Sequence, residues 1–523
     1  MEPWIIILLG LAAYILLVLY IGYRGYKVTK RTLEDYYLAG RGLGILLLMF
    51  TIFATYQSAY MYIGVTGFTY EHGVGIWYSN VANLLWAFLF IFIGIPLWRL
   101  GKAFGYITQA DFFAHRFNSN ILRLIIALWM VLGLTPYIGS QALATGRTLT
   151  TISRGVIAFG VAVMLYAITV IIYTSLGGMR SVAWTDLIQG LLMLGFIFVT
   201  LEVLLGKIGG IPALFEKVYA TKPELLSIPG PKGLMTPGAW FGFLLCDALG
   251  GIMWIQNWVR FYAGKSWKTL ALMTFLVPIG TTLMFFFSML VGLCGVVLEP
   301  GLPSGDLVFP TLMVKHLPLW VTAGVVIGLF AASMSTVDSL SLALSSSISK
   351  DIIALAKPEI DESSLVRLGR LFIIAVIIAG CLVGYYAAGT YLVVLLTLLS
   401  LSLSAILFPV AIAALYWKRA NKYGAIAGII VGIIIGVKTL LFGPEFVFGI
   451  YGGLWAIIGC ALTLIIVSLI TPVSDKEAKS VEQISKVLAS PIATMIDIND
   501  AYKVKTTMKQ RYSTIIPRLI PSA

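Results

Sequence analysis

Charge is scarce in this chain. Charged residues make up 11% of 523 positions, against roughly 25% in an ordinary soluble domain. So few could not cover the surface of a water-soluble fold of this size, and 59% of the residues are hydrophobic, with a mean hydropathy of +0.96. Soluble, disordered and fibrous classes are excluded, leaving a polytopic membrane protein. Cysteine is sparse as well. Cys246, Cys294, Cys381 and Cys460 sit in apolar runs without paired spacing, which excludes a zinc or haem motif and predicts four free, buried thiols. Only His72, His115 and His316 carry imidazoles, all in expected connections. An intramembrane enzyme would need a nucleophile with its base, or a metal cluster, and no span supplies a histidine; the chain does not read as an enzyme. No extramembrane segment is long enough for a second catalytic or signalling domain, and no organic cofactor is expected.

What is there is apolar sequence in lengths of about 20 residues, each enough to cross a bilayer as a helix. Thirteen such spans are expected, at 4–23, 43–66, 76–99, 121–147, 156–177, 183–205, 236–260, 269–297, 319–349, 367–388, 391–417, 423–441 and 447–471. The start, Met-Glu-Pro-Trp, lacks the basic flank of a cleaved leader, so the first span reads as a retained helix. The net charge of +13 could suggest nucleic acid. Placing the N-terminus outside, however, puts 28 of the 36 Lys and Arg residues on the cytoplasmic side, with residues 260–268 counted as a cytoplasmic loop. That is the positive-inside bias. The charge is topology: a cell-membrane protein, N-terminus out, C-terminus in, with the lipid bilayer and no nucleic acid as partner, and with its oligomeric state open. The tail from 473 to 523 reads as partly disordered, an amphipathic cytoplasmic helix being the alternative.

Two spans look broken. The second carries Thr51, Thr55, Tyr56, Gln57 and Ser58 in its middle, and the seventh carries Asp247 and the pair Gly250-Gly251. Irregular backbone at membrane depth is tolerated only where it lines a cavity or is buried in protein. Interrupted helices at corresponding positions mark inverted-repeat transporters. The offset of five helices inverts the second copy, so the expected domains are a first helix and loop (1–42), repeats at 43–205 (helices 2–6) and 236–417 (helices 7–11), two peripheral helices (418–472) and the tail.

Helix nine carries a polar stripe. In AASMSTVDSLSLALSSSISKDI (331–352), Ser335, Asp338, Ser339, Ser346 and Ser349 share one helical face. Hydroxyls alone are weak evidence, because serine also packs helices and bonds back to its own backbone. The Ser335 and Thr336 hydroxyls lie one turn from the Ala332 carbonyl, and unwound backbone near Ala54 and Gln57 could face them. A small hard cation takes such oxygen ligands.

The same stretch resembles the signature of the sodium:solute symporters, carriers of proline, pantothenate, sugars and sialic acid. GGMRSVAWTDLIQG (177–190), NWVRFYAGKS (257–266) and GDLVFPTLMVKHLP (305–318) are similar to family segments, and the resemblance spans roughly residues 1–470. It implies an all-α inverted five-helix repeat core of the leucine-transporter type, with one helix before it and two after. It also implies a sodium site at Ala54, Gln57, Ala332, Ser335 and Thr336, with Na+ as the coupling ion. Asp186 would join Ser335, Asp338 and Ser339 in a second cation site. There are departures. Tyr56 stands where the proline carriers hold an acid, and Asp338 where two-sodium sialic acid carriers place a hydroxyl. Asp247 falls where an aromatic residue touches substrate in the proline carriers.

A carboxylate at membrane depth is costly and functional by default. Asp186, Asp247 and Asp338 qualify, with an interfacial helix cap as the plain alternative for Asp186 and structural hydrogen bonding for the other two. Asp247 is expected to line the cavity and to bind a substrate amine, with Tyr56, Ser58, Gly251, Trp254 and, weakly, Ser404 beside it; Trp258 could add a wall. The expectation is a sodium-coupled symporter of a small organic solute, first an amino acid such as proline or another amine- or carboxylate-bearing metabolite. Pantothenate or another monocarboxylate, and proton coupling, are the alternatives.

Overall fold

A computed structural model describes residues 2–388 and 392–491, apart from the side chains of Tyr173 and Leu176. The expectation for the tail beyond 491 lies outside the described residues. Almost everything described is helix, joined by a two-stranded ribbon, Phe446–Val447 with Ile450–Tyr451. Among the described residues ten helices are long and apolar enough to cross a membrane, and a bent pair, Pro237–Met253 with Ile255–Ala263, makes an eleventh. Ile45–Tyr56 and Phe159–Ile172 are shorter apolar helices, which is where this count and the thirteen expected spans part. The break at Gln57 divides what hydropathy alone joins over 43–66.

Local chemistry sets the ends. Ser119, Ser266 and Asn421 each accept an N–H of the first turn of the helix that follows, meeting donors that have no partner within the helix. Helix Phe159–Ile208 is two helices meeting at Gly178, whose φ of 62° and ψ of −167° leave the helical region. A Cβ there would stand 2.6 Å from the Tyr36 carbonyl oxygen. Glycine is required on both counts.

Helix Leu319–Ser347 forms the axis of the molecule. Its residues from Gly328 to Ser347 are all buried, so the hydroxyl stripe faces protein and not lipid. Lipid-exposed Leu, Ile and Phe side chains sit instead on outer helices, such as Leu16 and Leu17 on Pro3–Val28. The four cysteines are free and buried. The near part of the tail forms the amphipathic helix Asp475–Ala489, opened by a capping box between Ser474 and Glu477. Arg99 donates to the Val487 and Leu488 carbonyls at 2.6 and 2.9 Å, and Glu477 accepts the Lys422 N–H at 2.6 Å. This helix is strapped to the bundle by its two ends.

Candidate functional site

Two interruptions bring the site together. Helix Ile45–Tyr56 stops at Gln57, and helical backbone resumes at Tyr60. The second break falls at Trp254, with ψ 127° and a 45° bend, rather than at Gly250-Gly251. Those glycines serve close packing: a Cβ on Gly250 would meet the Leu401 carbonyl oxygen at 2.1 Å, and one on Gly251 would meet the Tyr56 hydroxyl at 3.2 Å.

The first break faces the hydroxyl helix. Ser335 Oγ lies 2.8 Å from the Ala54 carbonyl oxygen and 3.0 Å from that of Ala332. Thr336 Oγ1 lies 2.9 Å from the Thr55 carbonyl and 3.0 Å from that of Ala332. Five uncharged oxygens therefore converge in a fully buried place, the donor set that suits a small hard cation. Ala54, Ala332, Ser335 and Thr336 come together as expected. Thr55, not Gln57, supplies the second carbonyl contact, and the buried Gln57 amide makes no hydrogen bond.

A second cluster surrounds Asp247, 2% exposed. The Tyr56 hydroxyl donates to its Oδ1 at 2.9 Å and Ser79 donates to its Oδ2 at 2.5 Å. The Tyr56 ring packs on Trp86 and Trp254 at centroid separations of 4.5 and 5.4 Å, and Tyr137 stacks on Trp254 at 4.4 Å. A carboxylate walled by aromatic faces attracts an organic cation twice, through charge and through the ring quadrupoles. Tyr56, Asp247, Gly251 and Trp254 thus meet. Ser58 lies alongside, accepting from Gln141 Nε2 at 3.2 Å. Ser404 does not join them: its hydroxyl bonds back to the Ser400 carbonyl at 2.8 Å. Trp258 packs on Phe113 at 5.4 Å, and its indole N–H donates to the Ile252 carbonyl.

The third cluster corrects the sequence reading of residue 260. Arg260, counted above as a loop charge, is fully buried on helix Ile255–Ala263. Its Nη2 donates to Thr51, Thr55 and Ser339 hydroxyls at 2.9, 2.5 and 2.5 Å, its Nη1 to the Gln256 carbonyl at 3.0 Å, and its Nε to Thr51. The Thr51 hydroxyl in turn donates a hydrogen bond to Asp186, whose Oδ2 is 3.6 Å from Arg260 Nη2. The Asp338 carboxylate, also buried, acts on the same guanidinium. Asp186, Asp338 and Ser339 therefore gather around a cation, one that is covalently tethered. Ending an apolar run, Arg260 looked like a boundary residue; the bend at Trp254 turns it inward. Ser79 and Trp86 were missed too, although Ser79, Asn80 and Asn83 (all buried) interrupt an apolar helix with polar groups.

A buried cluster of uncharged oxygens thus lies beside a carboxylate walled by aromatic rings, next to two helix breaks. The chain belongs to the sodium:solute symporter family, whose profile matches residues 36–432. It is 30% identical to the sodium/pantothenate symporter of Haemophilus influenzae over 81% of this chain and 91% of the relative. It is 28% identical to a sodium/proline symporter of Staphylococcus aureus over 90% and 93%. A Na+-coupled sialic acid symporter superposes with a TM-score of 0.74 at 20% identity, over 90% of this chain and 99% of that one. Mhp1, a nucleobase-cation-symport-1 family transporter, follows at 0.52 and 14%, over 86% and 98%. These likenesses carry the fold, an all-α multi-pass core of the leucine-transporter type.

Proposed function

We propose that this protein is a secondary active importer that couples Na+ entry to uptake of a small amine-bearing solute, an amino acid such as proline being the first choice. The observation that carries the reading is Asp247, held by Tyr56 and Ser79 inside the Tyr56–Trp86–Trp254–Tyr137 aromatic wall. A carboxylate there pairs with an ammonium or secondary-amine cation, and the aromatic faces bury the substrate's apolar part. Sodium sits, on this reading, among the Ala54, Thr55 and Ala332 carbonyls and the Ser335 and Thr336 hydroxyls, whose lone pairs turn to the ion as their protons turn away. Gln57 is left to the neighbouring wall. The two repeats then rock around the loaded centre, with the N-terminus outside and the C-terminus in the cytoplasm.

The second cation position takes a specific form in this proposal. Arg260 already supplies positive charge to Asp186 and Asp338, so a mobile second sodium would have to displace a guanidinium that is hydrogen-bonded on every side. One sodium per solute is the expected stoichiometry. The second reading is a pantothenate-type monocarboxylate symporter, favoured by the 30% identical relative; in it Asp247 would organise Tyr56 and Ser79 as donors instead of meeting a cation.

Uptake into proteoliposomes distinguishes the readings. A panel of labelled amino acids, amines and monocarboxylates is offered with an inward sodium gradient and with equal sodium on both sides. Accumulation of an amine-bearing solute only under the gradient is expected. Accumulation under a proton gradient in the absence of sodium would overturn the ion assignment.

A further inference from the structure

A cleft lies apart from the transport site, at the end of the bundle that the charge bias assigns to the cytoplasm. Its volume is about 240 Å3, and Tyr26, Lys27, Lys30, Arg31, Tyr36 and Arg370 line it. It forms where helix Pro3–Val28 runs into the following loop and meets the first turns of helix Glu362–Ala387. Four of these six residues are cationic. Among the described residues none of the four has a carboxylate within ion-pair distance, because the nearby acids are committed elsewhere. Asp35 accepts the Lys30 N–H at 2.6 Å and pairs with Arg180 at 2.8 Å; Glu362 accepts the Leu33 N–H at 3.3 Å; Glu34 pairs with Arg41 at 3.1 Å.

The interior of the cleft is more ordered than a scatter of surface lysines. The Arg370 guanidinium lies over the rings of Tyr26 and Tyr36 at 5.4 and 5.5 Å, which holds its plane in one orientation. Its Nε is buried with no well-aligned hydrogen-bond acceptor, and the hydroxyl of Tyr36, a residue 1% exposed, has the donor-only Arg370 guanidinium as its side-chain partner. Buried polar groups in native proteins are as a rule satisfied, and a guanidinium beside a phenol leaves the hydroxyl proton with nothing to accept it, which points to an absent acceptor in the cleft. Lys27, Lys30 and Arg31 are exposed at the rim. Depth supplies the last constraint. Tyr20 and Tyr23, 56% and 47% exposed, stand on the same helix a turn or two before the cleft, where an interfacial aromatic belt is expected.

We propose that this cleft is a binding site for the phosphate-bearing headgroup of an anionic membrane phospholipid. Arg370, stacked on its two tyrosines, meets the phosphate oxygens together with the Tyr36 hydroxyl, while Lys27, Lys30 and Arg31 close the rim with charge. Basic pockets between helices at this face are suited to such headgroups. The acyl chains then run along the apolar outer face of helix Pro3–Val28, where Leu9, Leu16 and Leu17 are exposed. Occupancy pins the first helix to the core, because the short helix Leu33–Leu38 behind the cleft carries Tyr36 against Gly178.

The test uses the full-length protein purified in neutral detergent. Native mass spectrometry and thermal unfolding are followed after adding phosphatidylglycerol, phosphatidylcholine, or inorganic phosphate with glycerol phosphate. Retention of phosphatidylglycerol and a rise in unfolding temperature with that lipid alone are expected, and the double variant Arg31→Gln, Arg370→Gln loses both. Arg24→Gln, a neighbouring basic change outside the cleft, keeps both. Equal responses to phosphatidylcholine, or an undiminished phosphatidylglycerol response in the double variant, would overturn the proposal. A full response to soluble phosphate would overturn the lipid as occupant. Should the double variant fail to fold, Lys30→Gln with Arg31→Gln, at exposed rim positions, is expected to weaken lipid retention, and unchanged retention counts against the site.

Discussion

At the scale of single residues, cost at membrane depth made much of the site readable. A carboxylate in an apolar helix needs a reason, so Asp247 and Asp186 stand out in the sequence, Tyr56 follows from its place in the polar middle of the second span, and Trp254 from its helical spacing to Trp258. Arg260 did not, because the last residue of an apolar run looks the same whether it points to water or folds inward. Ser404 shows the opposite failure: it is polar, yet bonds back to its own helix. Two substitutions test the assignments. Asp247→Asn keeps the shape and removes the charge; uptake assays should show apparent affinity for an amine-bearing solute falling by about tenfold or more, the scale of one lost charge-assisted hydrogen bond. Unchanged affinity for such a solute would sink the chamber assignment. Arg260→Gln strands Asp186 and Asp338 without their guanidinium. Breaking a buried pair by removing one partner costs about 3–5 kcal/mol, so a marked fall in unfolding temperature is expected, and little change would show that the charge is dispensable.

At the scale of helices, hydropathy located the spans well but could not locate the bends, which depend on what lies opposite. Gly178 is the clearest case. The glycine pair was visible within GGMRSVAWTDLIQG, but its reason is the Tyr36 carbonyl 2.6 Å from where a Cβ would stand. Gly178→Ala combines that clash with a positive φ, and about 1–3 kcal/mol of backbone strain is expected, read as a lowered unfolding temperature. Helix Gln109–Phe117 offers a test by pH. Its capping-box acid, Asp111, is ion-paired to Lys350, and to Arg123 at 3.3 Å, and thereby ties this helix to the segment after the hydroxyl helix. Burial on its own would raise the Asp111 carboxyl, but Lys350, Arg123 and the Ile107 N–H outweigh it and hold it well below the ordinary Asp value of 3.8. A depressed carboxyl contributes stability above its unfolded value and loses it as pH falls towards the folded one. Unfolding temperature should therefore drop on acidification below about pH 4, and Asp111→Asn should be less stable at neutral pH with a flatter acid limb.

At the scale of the whole molecule, the three clusters are joined by a run of consecutive residues. Ala54 and Thr55 offer carbonyls to the cation nest, the Thr55 hydroxyl binds Arg260 and Ser339, and Tyr56 binds Asp247. The opposite helix repeats the pattern, with Ser335 and Thr336 in the nest and Ser339, a turn away, on Arg260. On the proposed assignment, an ion that draws the Ala54 and Thr55 carbonyls together also fixes the backbone that carries the Tyr56 ring, which would put ion and solute on one short segment. Coupling between two sites is reciprocal and typically amounts to about 1–3 kcal/mol, or 5–150-fold in affinity. Sodium should tighten solute binding by a factor in that range, and saturating solute should tighten sodium binding by the same factor. Ser335→Ala removes one hydroxyl from the nest, where it bonds the Ala54 and Ala332 carbonyls, while leaving the Asp247 chamber intact. Equilibrium binding to this variant should show sodium affinity reduced and solute affinity without sodium unchanged, with the deficit appearing only when sodium is added. A variant whose solute affinity falls equally with and without sodium would place Ser335 in the chamber itself and separate the ion from the Ala54–Tyr56 segment.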